Sequence, residues 1–270
     1  CILYYSRYLL GIIFRVVWTQ NKKKIMKHTF GLIGRNISYS FSQTYFQHKF
    51  ERENLPHTYK NFDLQNLNQF QHMRKNNTNL KGLNVTIPYK ESIIPFLDQI
   101  DEKATLIGAV NTIKICDDGS LKGFNTDHVG FTESIKPYLM THHTHALILG
   151  TGGASKAIAF ALKKLNISYC FVSRNPSNSD MLLYSELNEK LLTKYSIIIN
   201  CTPLGTYPNI QNYPDIPFEN INNKHLLFDL IYNPKETKFM NLGKLNGASV
   251  CNGMKMLEVQ AEEAWHIWNL

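Results

Sequence analysis

Residues 146–173 hold the pattern that most constrains this chain: "ALILG" reads as an apolar strand, "TGGASKAIAFAL" as a turn entering a helix, and "YCFVS" as a second strand. Past the glycines, Ala154, Ala157, Ile158, Ala161, Leu162 and Leu165 recur at helical spacing. After a polar helical segment, "SIIIN", "LLFDLIY" and "ASVCN" read as further strands. Strands alternating with helices imply a parallel sheet covered on both faces. Gly150, Gly152 and Gly153 stand at the strand-to-helix turn, where backbone N–H groups and a helix N-terminus can meet a pyrophosphate. Ser155 occupies the place of the common fingerprint's third glycine, and taken alone the motif also fits a plain tight turn.

The end of the next strand sharpens the cofactor reading. An NAD site places an acid there for the ribose 2′-hydroxyl, whereas this chain has Ser173, Arg174 and Asn175. Arg174 reads as an exposed loop arginine or as the partner of a 2′-phosphate, and the second reading implies NADP(H).

The first half also alternates and looks like a separate α/β layer: "TFGLIG" as a strand, Ser42 to Glu53 as a helix, then "LNVTI" and "AVNTIKI" as strands. In "GLNVTIPYK", Val85 and Ile87 alternate with Asn84 and Thr86, and Pro88 ends the ladder before Lys90. A carbonyl that receives a hydride becomes an alkoxide needing a proton, which a lysine can supply. Alone, Lys90 also fits a surface lysine beginning a helix. "GFNTDHVGF" offers Thr126 and Asp127 before a helical run, an ordinary N-cap pattern. In the last stretch Met256, Leu257, Gln260, Ala261, Ala264 and Trp265 recur at helical spacing, and the spacing does not say which layer that helix joins.

Charge excludes little. The formal net charge is +8, but Arg7, Arg15, Lys22, Lys23 and Lys24 lie in residues 1–25, which hold no acid. The remainder is only mildly basic, so neither nucleic acid nor a membrane is expected as a partner. Residues 1–25 are too short and too charged for a comfortable membrane span; they read as a non-native or disordered extension, the alternative being an amphipathic surface anchor. Cys1, Cys116, Cys170, Cys201 and Cys251 are scattered without metal-like spacing and read as buried small hydrophobes in a reducing compartment. His142, His143 and His145 read as a solvated loop, and no metal site is expected.

Taken together and in order, "GLIG…SYSFS", "NVTIPYK", "GAVNT", "GFNTD", "GTGGASKA", "NCTPLG", "DLIYNP" and "NGMKMLEVQA" resemble the shikimate dehydrogenase family, from about Gly31 to the C-terminus. The resemblance implies an α/β fold in which an N-terminal α/β substrate domain joins a Rossmann-type doubly wound NADP-binding domain, with the C-terminal helix returning to the first. The boundaries become 26–127 with 253–270 for shikimate and 128–252 for NADP(H). It implies Lys90 and Asp127 as the catalytic pair. Ser40 and Ser42 would hold the substrate carboxylate, with Tyr232 nearby. Asn84, Thr86, Asn111 and Gln260 would hydrogen-bond its hydroxyls and ring oxygens. Gly150, Gly152, Gly153, Ala154, Ser173, Arg174, Asn200, Thr202, Gly205 and Gly253 would serve the cofactor. The implied activity is reversible reduction of 3-dehydroshikimate in a cytoplasmic monomer or homodimer. The sequence leaves open which of Lys90 and Asp127 moves the proton.

The chain departs from the family at Asn36, Tyr39 and Gln43, which flank the two serines, and at Thr206. Asn178 stands where a second basic residue often supports NADP, leaving that preference mainly to Arg174. Two other readings remain: a quinate/shikimate dehydrogenase using NAD(P), and a metabolite-sensing module without turnover.

Overall fold

The computed structural model describes residues 26–37 and 40–270, so the expectations for residues 1–25 and the departure at Tyr39 lie outside the described residues. Two six-stranded sheets carry the chain.

The second sheet follows the apolar runs closely. β7 (His145–Leu149), β8 (Ser168–Ser173), β9 (Met181–Leu183), β10 (Ile197–Asn200), β11 (Leu226–Asp229) and β12 (Ser249–Cys251) are all parallel, in the order β12-β11-β10-β7-β8-β9. Such strands are buried on both faces, which is why "LIL", "III" and "LLF" read as unbroken apolar runs with no exposed residue. The order reverses between β7 and β10, and in doubly wound sheets the ligand crevice opens at that switch point. Helix α5 (Gly153–Lys164) leaves β7 there and buries Ala157, Ile158, Ala161 and Leu162.

The first sheet is mixed. β1 (Thr29–Gly34), β2 (Thr58–Asp63) and β3 (Leu80–Val85) are parallel; β5 (Thr112–Ile115) runs antiparallel to both β3 and β6 (Leu121–Phe124); β4 (Gln99–Ile100) closes the edge. The reversal between β5 and β6 is a short hairpin whose Gly119 takes a φ of +83°, a conformation glycine reaches without a Cβ clash. Helix α1 (Phe41–Arg52) begins one residue before the expected Ser42, with Ser40 at its N-cap. Short α2 (Gln69–Lys75) and α3 (Glu102–Ile107), then α4 (Asp127–Ile135), complete this half.

Two short helices, α6 (Glu189–Lys194) and α7 (Lys238–Leu245), cover the second sheet; α8 (Met254–Asn269) then leaves it and packs against α4 and the first sheet. Trp268 anchors it: the ring is 1 % exposed, lies over Gly82, stacks 4.9 Å from Phe30 and donates Nε1–H to the Ile113 carbonyl at 3.0 Å. A Cβ on Gly82 would sit 2.4 Å from that ring, so glycine is what lets the helix approach.

Two expectations are corrected. His142, His143 and His145 are not simply a solvated loop, because His143 is buried, accepts Met140 N–H at Nδ1 (3.0 Å) and bonds the Lys224 carbonyl through Nε2. Among the four described cysteines, all unpaired, only Cys251 is buried; Cys116, Cys170 and Cys201 are half-buried.

Candidate active site

The strands of the first sheet end in the turns that line one cavity of about 330 Å³. Its walls include Ser40, Ser42, Asn84, Thr86, Lys90, Asn111, Asp127, Ala154, Tyr232, Gly253 and Gln260. Nine residues expected for substrate and catalysis are therefore together, although they come from six separate stretches of chain.

Lys90 and Asp127 face each other, Nζ to Oδ2, at 2.6 Å, with side chains 17 % and 6 % exposed. Thr126 stands at the N-cap position of α4, as the pattern suggests, but makes no side-chain cap bond. Asn125 supplies the acceptor instead: its Oδ1 accepts from the N–H groups of Asp127 (3.1 Å) and His128 (3.4 Å). That leaves the Asp127 carboxylate for Lys90, and its second oxygen accepts from Asn111 Nδ2 at 2.9 Å. Asn111 is the hub: its Oδ1 accepts Thr126 N–H at 2.7 Å, and its amide also reaches Thr126 Oγ1 and Gln260 Oε1. Asn125 and Thr126, read from the sequence only as part of a capping turn, support this centre, and so does Tyr59, which the motifs passed over and which donates to Asn84 Oδ1.

The serine wall suits an anion. Ser40 is the N-cap of α1 and makes no side-chain cap bond, and α1 has no acid in its first turn, so the positive end of the helix is left uncompensated. Burial raises the Tyr232 hydroxyl above its ordinary pKa, keeping it protonated and a donor. Cys201 lies near this centre, yet burial first and the carboxylates of Asp229 and Asp127 next hold its thiol protonated, which removes it as a nucleophile.

The glycine turn adjoins the cavity. A Cβ on Gly153 would lie 3.0 Å from Lys90 Cβ, so the helix start touches the lysine stem. Gly150 takes a φ of +102° against Thr202, and nothing lies within 4 Å of a Cβ built on Gly152. An open, acid-free helix start at the switch point fits a pyrophosphate. Ser173 ends β8, and Arg174 follows it, exposed. Gly205, at φ +105°, shapes the loop after β10, and at Gly253 any Cβ would collide with the Leu230 carbonyl, so the close approach there requires glycine. Asn200 is placed differently: fully buried, it donates to Asp229 and Leu204 and accepts from Thr202, so its side chain orders the loop from beneath.

The sequence profile of the shikimate dehydrogenase substrate binding domain matches residues 32–113. A shikimate dehydrogenase (NADP(+)) of Clostridium botulinum is 40 % identical over 253 residues, covering 90 % of this chain and 97 % of the relative. The chain belongs to the shikimate dehydrogenase family. Among solved family members, shikimate dehydrogenase 1 from Peptoclostridium difficile superposes with a TM-score of 0.77 at 36 % identity, covering 90 % of this chain and 91 % of that one. The Thermus thermophilus enzyme, in complex with NADP(H) and shikimate, gives 0.79 at 28 % identity, with 89 % and 93 % covered. The family fold, a substrate domain beside a Rossmann-type domain, accounts for the two sheets and the returning helix. No described helix is long and apolar enough to cross a membrane.

Proposed function

We propose that the chain is an NADP-dependent shikimate dehydrogenase, reversibly reducing 3-dehydroshikimate to shikimate on the route to chorismate and the aromatic amino acids. The observation that carries this reading is the Lys90–Asp127 pair, 2.6 Å apart in a cavity lined by short hydroxyl and amide side chains and touching the glycine turn.

Ser40 and Ser42, at the start of α1, receive the substrate carboxylate, with Tyr232 beside them. Asn84, Thr86, Asn111 and Gln260 hydrogen-bond the ring hydroxyls. When bound, the nicotinamide cofactor supplies the hydride for the ketone carbon. Both Asp127 oxygens already accept hydrogen bonds, so the transferable proton is on Lys90. Lys90 Nζ gives that proton to the oxygen that becomes the alcohol, and takes it back in the reverse direction. Asp127 holds the ammonium in place. General acid–base assistance of this kind contributes about 10²–10⁴-fold in rate.

For the cofactor, Gly150, Gly152, Gly153 and Ala154 cradle the pyrophosphate, Ser173 and Arg174 receive the 2′-phosphate, and Thr202, Gly205 and Gly253 border the nicotinamide side, with Asn200 ordering their loop. The matching partition is 26–127 with 253–270 for substrate and 128–252 for cofactor. The chain acts in this reading as a monomer or homodimer. The four unpaired cysteines support a reducing cytoplasmic setting.

The test follows nicotinamide reduction with shikimate and with quinate, each with NADP⁺ and NAD⁺. Turnover confined to shikimate and NADP⁺ is expected; turnover with none of the pairs would overturn the reading.

A further inference from the structure

Three charged side chains line the cavity: Arg35, Lys90 and Asp127. Lys90 and Asp127 neutralise each other at 2.6 Å. Arg35 makes no ion pair among the described residues. The lining therefore carries one uncompensated positive charge.

We infer that Arg35 is a specificity-determining residue, which selects ligands bearing a single carboxylate at the cavity mouth. This rests on the function proposed above and adds to it a residue that none of the recognised motif positions supplies.

The local structure holds Arg35 at that rim. Its N–H donates to the Ile87 carbonyl at 3.3 Å, tying the turn after β1 to the turn after β3. Asn36 follows in the left-handed region at φ 58°, a conformation asparagine tolerates. The N–H groups of Asn36 and Ile37 then donate to Asp63 Oδ1 and Oδ2, at 2.9 and 3.3 Å. Asp63 is the acid beside this turn, but its oxygens are engaged by those backbone groups and by Gln65, and it does not line the cavity. The turn is thus pinned by the carboxylate while the guanidinium stays with the cavity and solvent.

Ser40 and Ser42 line the same cavity, a few residues on in the chain. Hydroxyls donate to neutral and anionic acceptors alike, so two serines alone discriminate poorly between a carboxylate and an ester. A cation in the same lining supplies the missing preference. A monoanion brings the lining to neutrality, a dianion overshoots, and a neutral ligand leaves Arg35 unmatched. Because the side chain is exposed, the pair is partly solvated and its effect modest and salt-sensitive.

The experiment measures shikimate affinity by calorimetry, and KM in steady state, for the wild type, Arg35→Lys, Arg35→Gln and Arg35→Glu, at low and high salt. Methyl shikimate is the neutral comparator. Arg35→Gln is expected to weaken shikimate binding roughly two- to fivefold, Arg35→Glu more, and Arg35→Lys hardly at all, with the change falling on KM. High salt should bring the wild type towards Arg35→Gln, and methyl shikimate affinity should not follow the charge series. Equal shikimate affinity across the four proteins, or an equal loss for the ester, would overturn the inference. Calorimetry reads the charge series without turnover, so a failed activity assay strikes the proposed reaction while a flat series strikes Arg35 alone.

Discussion

Tyr59 donates its hydroxyl hydrogen to Asn84 Oδ1 at 2.7 Å, reaching from edge strand β2 past β1 to β3. The tyrosine is 2 % exposed and stacks on Phe46 at 4.7 Å with the rings 8° from parallel, so its hydroxyl has little freedom. Once Oδ1 is committed, the Asn84 amide nitrogen has only long bonds, to Thr112 Oγ1 at 3.3 Å and the Asn111 carbonyl at 3.4 Å. Its hydrogens remain ready for a ligand hydroxyl. Burial raises the Tyr59 pKa well above its ordinary value, so the donor persists throughout the working pH range.

Tyr59→Phe leaves a buried acceptor without its donor. The expected cost is about 1–2 kcal/mol of folding stability, with a several-fold rise in shikimate KM as the Asn84 amide loses its fixed orientation. Chemical denaturation and steady-state kinetics check the two effects separately. Unchanged KM with reduced stability would confine Tyr59 to the core.

Lys90→Met removes the ammonium but keeps the stem that packs against the glycine turn. We expect kcat to fall by roughly 10²–10⁴, with shikimate and NADP⁺ binding retained within a few-fold. Single-turnover kinetics beside equilibrium binding separates the chemical step from affinity. Wild-type turnover in this variant would exclude Lys90 as the proton donor.

Much of this was legible in the sequence, for physical reasons that differ by region. Strands β7, β10 and β11 are buried on both faces, so their apolar runs stood out against polar flanks. β2, "TYKNFD", is an edge strand with mostly part-exposed residues and has no such run, which is why it was passed over. In α8 the spacing extended to Trp265, whereas Trp268 is the anchor; its value comes from Gly82, nearly two hundred residues away, which no local pattern reports. The candidate site residues could be named because they fall in ordered family motifs such as "NVTIPYK" and "GFNTD", and what the structure adds is that the substrate and catalytic candidates line one cavity. Asn200 was harder: the same motif fits a cofactor contact and a buried brace, and only the hydrogen bonds to Asp229 and Leu204 distinguish them.

Arg174→Ala tests the coenzyme preference. The side chain is exposed at the end of β8, where a 2′-phosphate would meet it and where no carboxylate stands for a 2′-hydroxyl. A charged hydrogen bond of about 1.5–3 kcal/mol corresponds to a rise of roughly ten- to a hundredfold in KM for NADP⁺. NAD⁺, which has no such phosphate, should change little. Parallel titration of the two coenzymes decides the matter, and equal effects on both would place the discrimination elsewhere.

Asp229 gives the stability of the second sheet a pH dependence of unusual sign. It is fully buried at the end of β11, where Thr237 Oγ1 donates to Oδ2 at 2.6 Å and Ile231 N–H and Asn200 Nδ2 donate to Oδ1, each at 3.0 Å. Burial outweighs these donors and pushes the carboxyl up to about 6, from an ordinary 3.8. Between pH 4 and 6 the folded state therefore holds a proton that the unfolded chain has released. Stability from this group then falls as pH rises through that window, by up to roughly 3 kcal/mol, and is flat above it. Asp229→Asn keeps an acceptor for the two nitrogen donors and cannot ionise, while Thr237 Oγ can turn to accept from the new amide. Melting curves from pH 4 to 7 should show the wild type losing stability relative to the variant as pH rises, most of it before pH 6. Parallel curves would mean that the donors hold the carboxylate ionised in both states, and that the "DLIYNP" turn is braced by a charge rather than by a protonated acid.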